Sequence, residues 1–430
     1  MLIELKVTNF RSIREEQTFS LVASNAVKDL ENCITENPLP GLSGLRFLKG
    51  AAIYGANASG KSNLIEAIHF LKRFVITSTT KLHPGDPTGT EPFKLDDNSI
   101  NSASEFEVTF VTRNVRYVYG VSLTRERVTE EYLFAYPKGS PQRWFHRTYN
   151  AEQNIYEWAN PSTSFKQDKS LQDKTRENSL FLSVGPQFNH EQLTTVFNWF
   201  KKELRFITLD ADAFLHPGFT AEMLEKPEMK TRILNLLKSA DFGVTDAKTE
   251  ERELNLDDLK ENIPPAILAE IMASKGTAKA RRMEINLMHQ GGNIKPVAMD
   301  FDDEESAGTR RFFSLAGPWL DILDNGYTVF IDEIETSLHP VLVRELLKIL
   351  FCSRKNPRGA QVIFTTHNPF LLDNTLIRRD QVWFTEKAPE GTTHLYPLTD
   401  YKPRKDEALA KGYLAGRYGA IPFLPEGLQL

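Results

Sequence analysis

Gly55-Ala56-Asn57-Ala58-Ser59-Gly60-Lys61-Ser62 has the spacing G-x-x-x-x-G-K-S/T of a phosphate-binding loop. Ahead of it Leu48-Lys49-Gly50-Ala51-Ala52-Ile53-Tyr54 reads as a buried strand, and behind it Asn63-Leu64-Ile65-Glu66-Ala67-Ile68-His69-Phe70-Leu71 has helical periodicity. A strand that enters a helix through a glycine-rich turn aims several backbone N–H groups, and the positive end of the helix dipole, at one point. A triphosphate fits there. Asn57, Ala58, Ser59, Gly60, Lys61, Ser62 and Asn63 form the expected binding set, with Lys61 as a mobile point charge on the β- and γ-phosphates and the Ser62 hydroxyl on Mg²⁺.

The second half of the chain decides the class. Tyr327-Thr328-Val329-Phe330-Ile331-Asp332-Glu333 is an apolar strand ending in two acids. It is expected beside the phosphate-loop strand, leaving Asp332 to support Mg²⁺ through Ser62 or water and Glu333 to polarise an attacking water. Gln361-Val362-Ile363-Phe364-Thr365-Thr366-His367-Asn368-Pro369 repeats the pattern, so His367 is placed to hydrogen-bond a γ-phosphate. Upstream, Glu305-Ser306-Ala307-Gly308-Thr309-Arg310-Arg311-Phe312 precedes an apolar stripe of Phe312, Leu315, Trp319, Leu320 and Leu323. Ser306 and Gly308 therefore open a helix and form either a second anion site or an ordinary N-cap, and Pro318 is expected to kink that helix.

In this order the motifs resemble the ABC-type ATPase heads of SMC, RecF and OLD proteins. Leu5-Lys6-Val7-Thr8-Asn9-Phe10-Arg11-Ser12 is similar to their first strand and nucleotide-side loop, which makes Arg11 a cofactor-binding residue by resemblance. Gly55 to Ser62 matches Walker A, Ser306 to Arg310 the signature, Asp332-Glu333 Walker B, Glu335-Thr336-Ser337-Leu338-His339-Pro340 the D-loop, and His367 the switch histidine. A narrower resemblance, to the RloA and abortive-infection AAA ATPases, rests on Asn178-Ser179-Leu180-Phe181-Leu182-Ser183, on the Ser-x-Gly-Thr-Arg signature, and on the ending Lys411 to Pro422. That family implies a sensor or scaffold in bacterial anti-phage defence that controls a TOPRIM or RloB-like effector nuclease, with a phage-encoded trigger. It also implies a head-to-tail dimer or higher homo-oligomer, in which Ser306 and Gly308 of one chain cover the nucleotide on Lys61 of the other. ATP and Mg²⁺ are the implied cofactors. Gln187, in Val184-Gly185-Pro186-Gln187-Phe188, is the candidate Q-loop residue and third metal ligand.

Composition bounds these readings. The 430 residues are 40% hydrophobic and 25% charged with net charge −5, which disfavours a surface that coats nucleic acid. Two cysteines, Cys33 and Cys352, make no disulfide framework, no apolar run approaches the ~20 residues of a membrane span, and a reducing cytoplasm is expected. Lys275 to Arg282 is the most basic run, a solvated loop or a nucleic-acid contact.

The fold class expected is α/β: an ABC-type head with a mixed phosphate-loop sheet, a flanking antiparallel β lobe and a compact helical insertion. Residues 1–189 carry the first half of the head. Alternation at Phe106, Val108, Phe110 and at Val115, Tyr117, Tyr119 around the turn Arg113-Asn114 marks the lobe. Residues 190–280 read as helical, interrupted by Pro264-Pro265 and without sustained heptads, and 281–430 carry the second half. A direct DNA-binding repair ATPase of RecF or SMC type is the alternative function. The phrase Tyr413 to Pro422 is expected to support the nucleotide-side sheet or to make intermolecular contact, the other reading being a frayed tail.

Overall fold

The computed structural model describes residues 1–35, 44–207, 215–253, 281–291 and 295–422. The Pro264-Pro265 pair and most of the basic run from Lys275 lie outside them. The chain forms two units, Met1–Leu209 with Ile322–Thr336 and Pro340–Leu430, and Asp210–Asp321 with Ser337–His339. No helix among the described residues is long and apolar enough to cross a membrane.

In the first unit, Gly50–Gly55, Gln361–Thr365 and Thr328–Ile331 are buried along their whole length, as parallel strands covered on both faces must be. They belong to a six-stranded sheet in the order Thr393–Pro397, Val382–Lys387, Gly50–Gly55, Gln361–Thr365, Thr328–Ile331, Leu204–Ile207. All pairings are parallel except that of the outermost Thr393–Pro397. The acidic strand is therefore not the neighbour of the phosphate-loop strand. Gln361–Thr365 lies between them and sets them two ladder spacings, about 10 Å, apart. Uniformly apolar strands carry no signal of neighbour order, which is why the sequence misplaced it.

A seven-stranded antiparallel sheet forms the flanking lobe, in the order Gln17–Ser20, Leu2–Thr8, Ser104–Thr112, Val115–Leu123, Val128–Tyr136, Gln142–Asn150, Ile155–Trp158. Arg113 and Asn114 have φ of 47° and 60°, the left-handed pair that a two-residue hairpin requires. Two glutamine side chains tie the two sheets together, Gln17, whose Oε1 accepts the Leu395 N–H at 2.7 Å, and Gln361. The Gln361 carboxamide accepts the Leu2 N–H at 2.7 Å and donates to the Leu2 and Leu48 carbonyls at 3.0 Å, acting as a strand neighbour for the start of the chain.

Asn178 to Ser183 joins the lobe to the phosphate-loop helix Lys61–Thr77. Glu131 and Arg147, both fully buried, pair at 2.9 Å, and Glu131 accepts the Phe181 and Leu182 N–H groups at the start of helix Phe181–Gln187. Asn178 donates to the carbonyls of His83 and Asp86, and the Ser183 hydroxyl to that of Val75. The family-like phrase is a clamp between elements.

The stretch read as helical from 190 is only partly so. Helix Glu191–Asn198 passes through a π turn into strand Leu204–Ile207 at the edge of the parallel sheet. In the second unit helices Pro217–Leu224 and Pro227–Ser239 precede strand Val244–Glu253, which pairs with Arg281–His289, itself paired with Val297–Asp300. A four-residue strand is too short to show its period, and the partner of Val244–Glu253 follows a gap of nearly thirty residues. Helix Ala307–Asn325 is continuous through Pro318. The Thr220 hydroxyl reaches the Ser314 carbonyl that Pro318 leaves without its helical donor, at 3.3 Å.

The carboxyl-terminal phrase packs on the parallel sheet. Tyr413, on helix Leu409–Leu414, meets Tyr54 edge-on at 5.3 Å between ring centroids and stacks on Phe384 at 5.8 Å, and Tyr418 covers Phe384 from 5.8 Å. The Tyr396 hydroxyl donates to the Tyr418 carbonyl, while exposed Arg417 pairs with Glu407. Truncation after Asp406 is expected to destabilise the protein by more than about 3 kcal/mol, because two buried aromatic rings leave the sheet. An unchanged urea midpoint would mark the segment as a frayed tail.

Candidate nucleotide-binding site

Gly60 caps the phosphate-loop helix with φ 106°, a conformation open to glycine, and a Cβ there would overlap the Thr393 side chain. A Cβ on Gly55 would overlap Ser59 and Thr385. The loop is thus seated on side chains from the far end of the sequence. One consistent chain of donors runs from Asn63 Nδ2 to Ser12 Oγ at 2.6 Å, from Ser12 to Thr393 Oγ1 at 2.7 Å, and from Thr393 to the Ser59 carbonyl at 3.0 Å. Ser59 Oγ meets Thr385 Oγ1 at 2.6 Å. These hydroxyls leave Asn57, Ala58 and Ser62 exposed at the mouth of the loop, with Ala58 at φ 62°.

Lys61 is buried, and its ammonium donates to the Gly55 and Ala56 carbonyls at 2.9 and 3.0 Å. Burial lowers its pKa, and Asp332, Glu333 and Glu335 oppose that fall. The sheet therefore brings the predicted lysine and both predicted acids into one electrostatic neighbourhood, together with Glu335, which the motif reading placed only in the D-loop.

Thr365 organises the acidic edge. Its hydroxyl donates to Asp332 Oδ1 at 2.6 Å and accepts the Glu333 N–H at 2.7 Å, holding Glu333 at φ 50°. The His367 N–H donates to Glu335 Oε1 at 2.8 Å. Burial and the Lys61 charge keep the His367 imidazole below its ordinary pKa, so it is neutral at neutral pH. Thr365, Thr385 and Thr393 had no signal as site residues, because a threonine in a strand is what β-propensity alone supplies.

Arg11, at φ 50°, lies against Glu91 at 3.0 Å and Glu66 at 3.7 Å, and lines a cleft of about 270 Å³ with Ser12, Asn63, Phe93 and Lys387. The cleft shares Asn63 with the phosphate-loop helix. The residues present fit Mg²⁺ and a nucleoside triphosphate: a cradle closed to any Cβ, a lysine, and hard oxygen donors on Ser62 and Asp332.

Two expectations part company here. Gln187 is exposed at the end of helix Phe181–Gln187, and Ser183, one turn earlier, is bonded to Val75 near the far end of the phosphate-loop helix. Val75 lies about 20 Å along that helix from Ser62. The adjoining Phe188 ring packs under Lys174 in the lobe connection, and among the described residues no contact joins Gln187 to the phosphate loop. Gln187 therefore closes a helix of the lobe connection, and its residue type alone carries no position in the fold. Ser306 and Gly308 lie in the second unit. There Ser306 is an N-cap, its Oγ accepting the Thr309 N–H at 3.1 Å, and Glu305 beside it meets His289 at 2.6 Å.

Gly60→Ala is expected to weaken ATP binding by at least about tenfold, a shift of 1.4 kcal/mol, measured by calorimetry. Gly85→Ala is the control, since φ 84° strains it equally while its surroundings are open. Equal affinities in the two variants would show that the cradle does not hold the ligand.

No curated protein matches the sequence. Among solved structures the chain is similar to the SMC head domain from Thermotoga maritima, at 13% identity and TM-score 0.38, over 92% of this chain and 98% of that one. It is also similar to an SmcHead bound to the C-winged helix domain of ScpA, at 12% identity and TM-score 0.43, over 93% and 99% of the two chains. A third is the Smc head domain with an extended coiled coil bound to the C-terminal domain of ScpA derived from Pyrococcus furiosus, at 10% identity and TM-score 0.43, over 93% and 97%. Residues 51–373, well over half of the chain, match the family described as "AAA domain, putative AbiEii toxin, Type IV TA system", and the chain belongs to that family of AAA domains.

Proposed function

We propose that this chain is an ATP-binding and ATP-hydrolysing ABC-type ATPase that serves as sensor and scaffold in a bacterial anti-phage system, controlling a partner effector nuclease. The observation that carries the ATPase reading is the convergence of Lys61, Asp332, Glu333 and His367 at the carboxyl edge of one parallel sheet. Bound Mg²⁺ would neutralise phosphate charge. Ser62 and Asp332 would hold it through oxygen, Lys61 would leave the Gly55 and Ala56 carbonyls for the phosphates, and the Arg11 cleft would take the base and ribose. Glu333 accepts the proton of the attacking water, and neutral His367 donates to the terminal phosphate. Ser306 and Gly308 act on the nucleotide of a second copy, which makes the working unit a head-to-tail dimer.

The defence role draws on the family match, whose description names a toxin–antitoxin system, and on the resemblance of the phrase Lys411 to Pro422 to the RloA type. In that reading the cytoplasmic ATPase holds its effector, and turnover releases it when a phage component is sensed.

Glu333→Gln is expected to lower hydrolysis by at least about a hundredfold, to retain ATP binding, and to accumulate an ATP-bound dimer on size-exclusion chromatography. Unchanged hydrolysis removes Glu333 from the mechanism. For the scaffold, tagged protein co-expressed with the products of its neighbouring open reading frames is expected to co-elute with one of them. Failure to capture any of them would leave an ATPase without the scaffold role.

A further inference from the structure

Resting on the ATPase reading above, we infer that Glu335 is a positioning residue for hydrolysis, which sets the His367 side chain by holding the His367 main chain. The residue lies two places beyond Glu333, and the edge already has its base, so a further half-buried acid at this spot needs its own account. Its Oε1 is the acceptor for the His367 N–H at 2.8 Å. That N–H belongs to a residue just past the end of strand Gln361–Thr365, where the ladder no longer supplies an acceptor. The flanking links are present on both sides. Thr366 N–H donates to the Ile53 carbonyl at 3.1 Å, and Asn368 N–H to Thr366 Oγ1 at 3.0 Å. Glu335 supplies the link between them, and it comes from the acidic strand's own loop, so the position of His367 is tied to the position of Glu333.

The bond is short and partly buried, and its acceptor is charged. Such bonds are the ones that fix geometry. Among the described residues the second oxygen, Oε2, is buried without a protein partner, and the carboxylate acts on Lys61, His367 and Tyr54 alike. Glu335 therefore works as an acceptor of hydrogen bonds at a fixed place. A glutamine keeps that acceptor, and an alanine removes it.

The test measures kcat, ATP affinity and amide exchange in Glu335→Gln, Glu335→Ala, His367→Ala and the Glu335→Ala/His367→Ala double variant, with Glu333→Gln alongside. Glu335→Gln is expected within about threefold of the wild-type kcat, and Glu335→Ala about tenfold below it, with ATP affinity unchanged in both. In the His367→Ala background Glu335→Ala is expected to cost nothing further, because the two act as one unit. Amide exchange at His367 is expected to be about tenfold faster in Glu335→Ala and unchanged in Glu335→Gln. A Glu335→Gln protein as inactive as Glu333→Gln would overturn the proposal in favour of a charge or proton-transfer role. Multiplying losses in the double variant, or unaltered exchange at His367 in Glu335→Ala, would overturn it as well. Undiminished hydrolysis in Glu333→Gln sinks the parent assignment instead, and the exchange measurement still decides the role of Glu335.

Discussion

Parallel registration of Gly50–Gly55, Gln361–Thr365 and Thr328–Ile331 is the constraint on which the rest depends, because parallel strands end together. Asp332, Glu333, Glu335 and His367 follow two of these strand ends, and Lys61 follows the third through the glycine loop. Three carboxylates around one half-desolvated ammonium make an edge whose charges are balanced only in part. A triphosphate brought there adds further negative charge, which Lys61 cannot offset by itself, and in a medium of reduced dielectric that repulsion is large. In the proposed function a dication on Ser62 and Asp332 would resolve that repulsion, which is the electrostatic argument for Mg²⁺ there.

What was legible in the sequence was local. The phosphate loop, its helix and the two acids could be read because each motif is a run of adjacent residues whose geometry follows from backbone rules. The hairpin turn at Arg113-Asn114 was legible for the same reason. The order of the strands was not, nor was the seating of the loop: Ser59 meets Thr385 across 326 positions, and Ser12 meets Thr393 across 381. Gln187 shows the opposite limit. Its role was read from residue type, and only tertiary position can assign such a role; one turn earlier in its helix Ser183 is bonded to Val75.

Some phrases that look like chemistry are architecture. Glu131 is fully buried, and its oxygens meet Tyr119 Oη, the Arg147 guanidinium and the N–H groups of Phe181 and Leu182. The Glu131 oxygens are all met in this way, whereas Arg147 Nη1 is buried without a partner among the described residues, so the pair contributes specificity of arrangement more than stability. Arg378 repeats the device, bidentate on Asp380 and donating to the Val27 and Asp29 carbonyls. Both fix connections that the hydrophobic core, being non-directional, leaves free.

Of the non-glycine residues in left-handed backbone, Asn9, Arg11, Ala58 and Glu333 belong to the loops of the proposed site, while others, such as Leu30, Asn154 and Lys402, sit in turns elsewhere. Each such residue costs about 1 kcal/mol or more and persists only where its surroundings over-determine it. Thr365 does so for Glu333, and the Asn9 carboxamide, bonded to Phe93 N–H and to the Ser99 carbonyl, does so for the loop that carries Arg11. The family match begins at residue 51 and ends at 373, so Asn9, Ser12, Thr385 and Thr393 all lie outside it. The matched segment supplies the chemistry at the sheet edge, while the flanking segments supply the hydroxyls and amides that hold the loop in shape. The site is thus a property of both ends of the chain folded onto the middle.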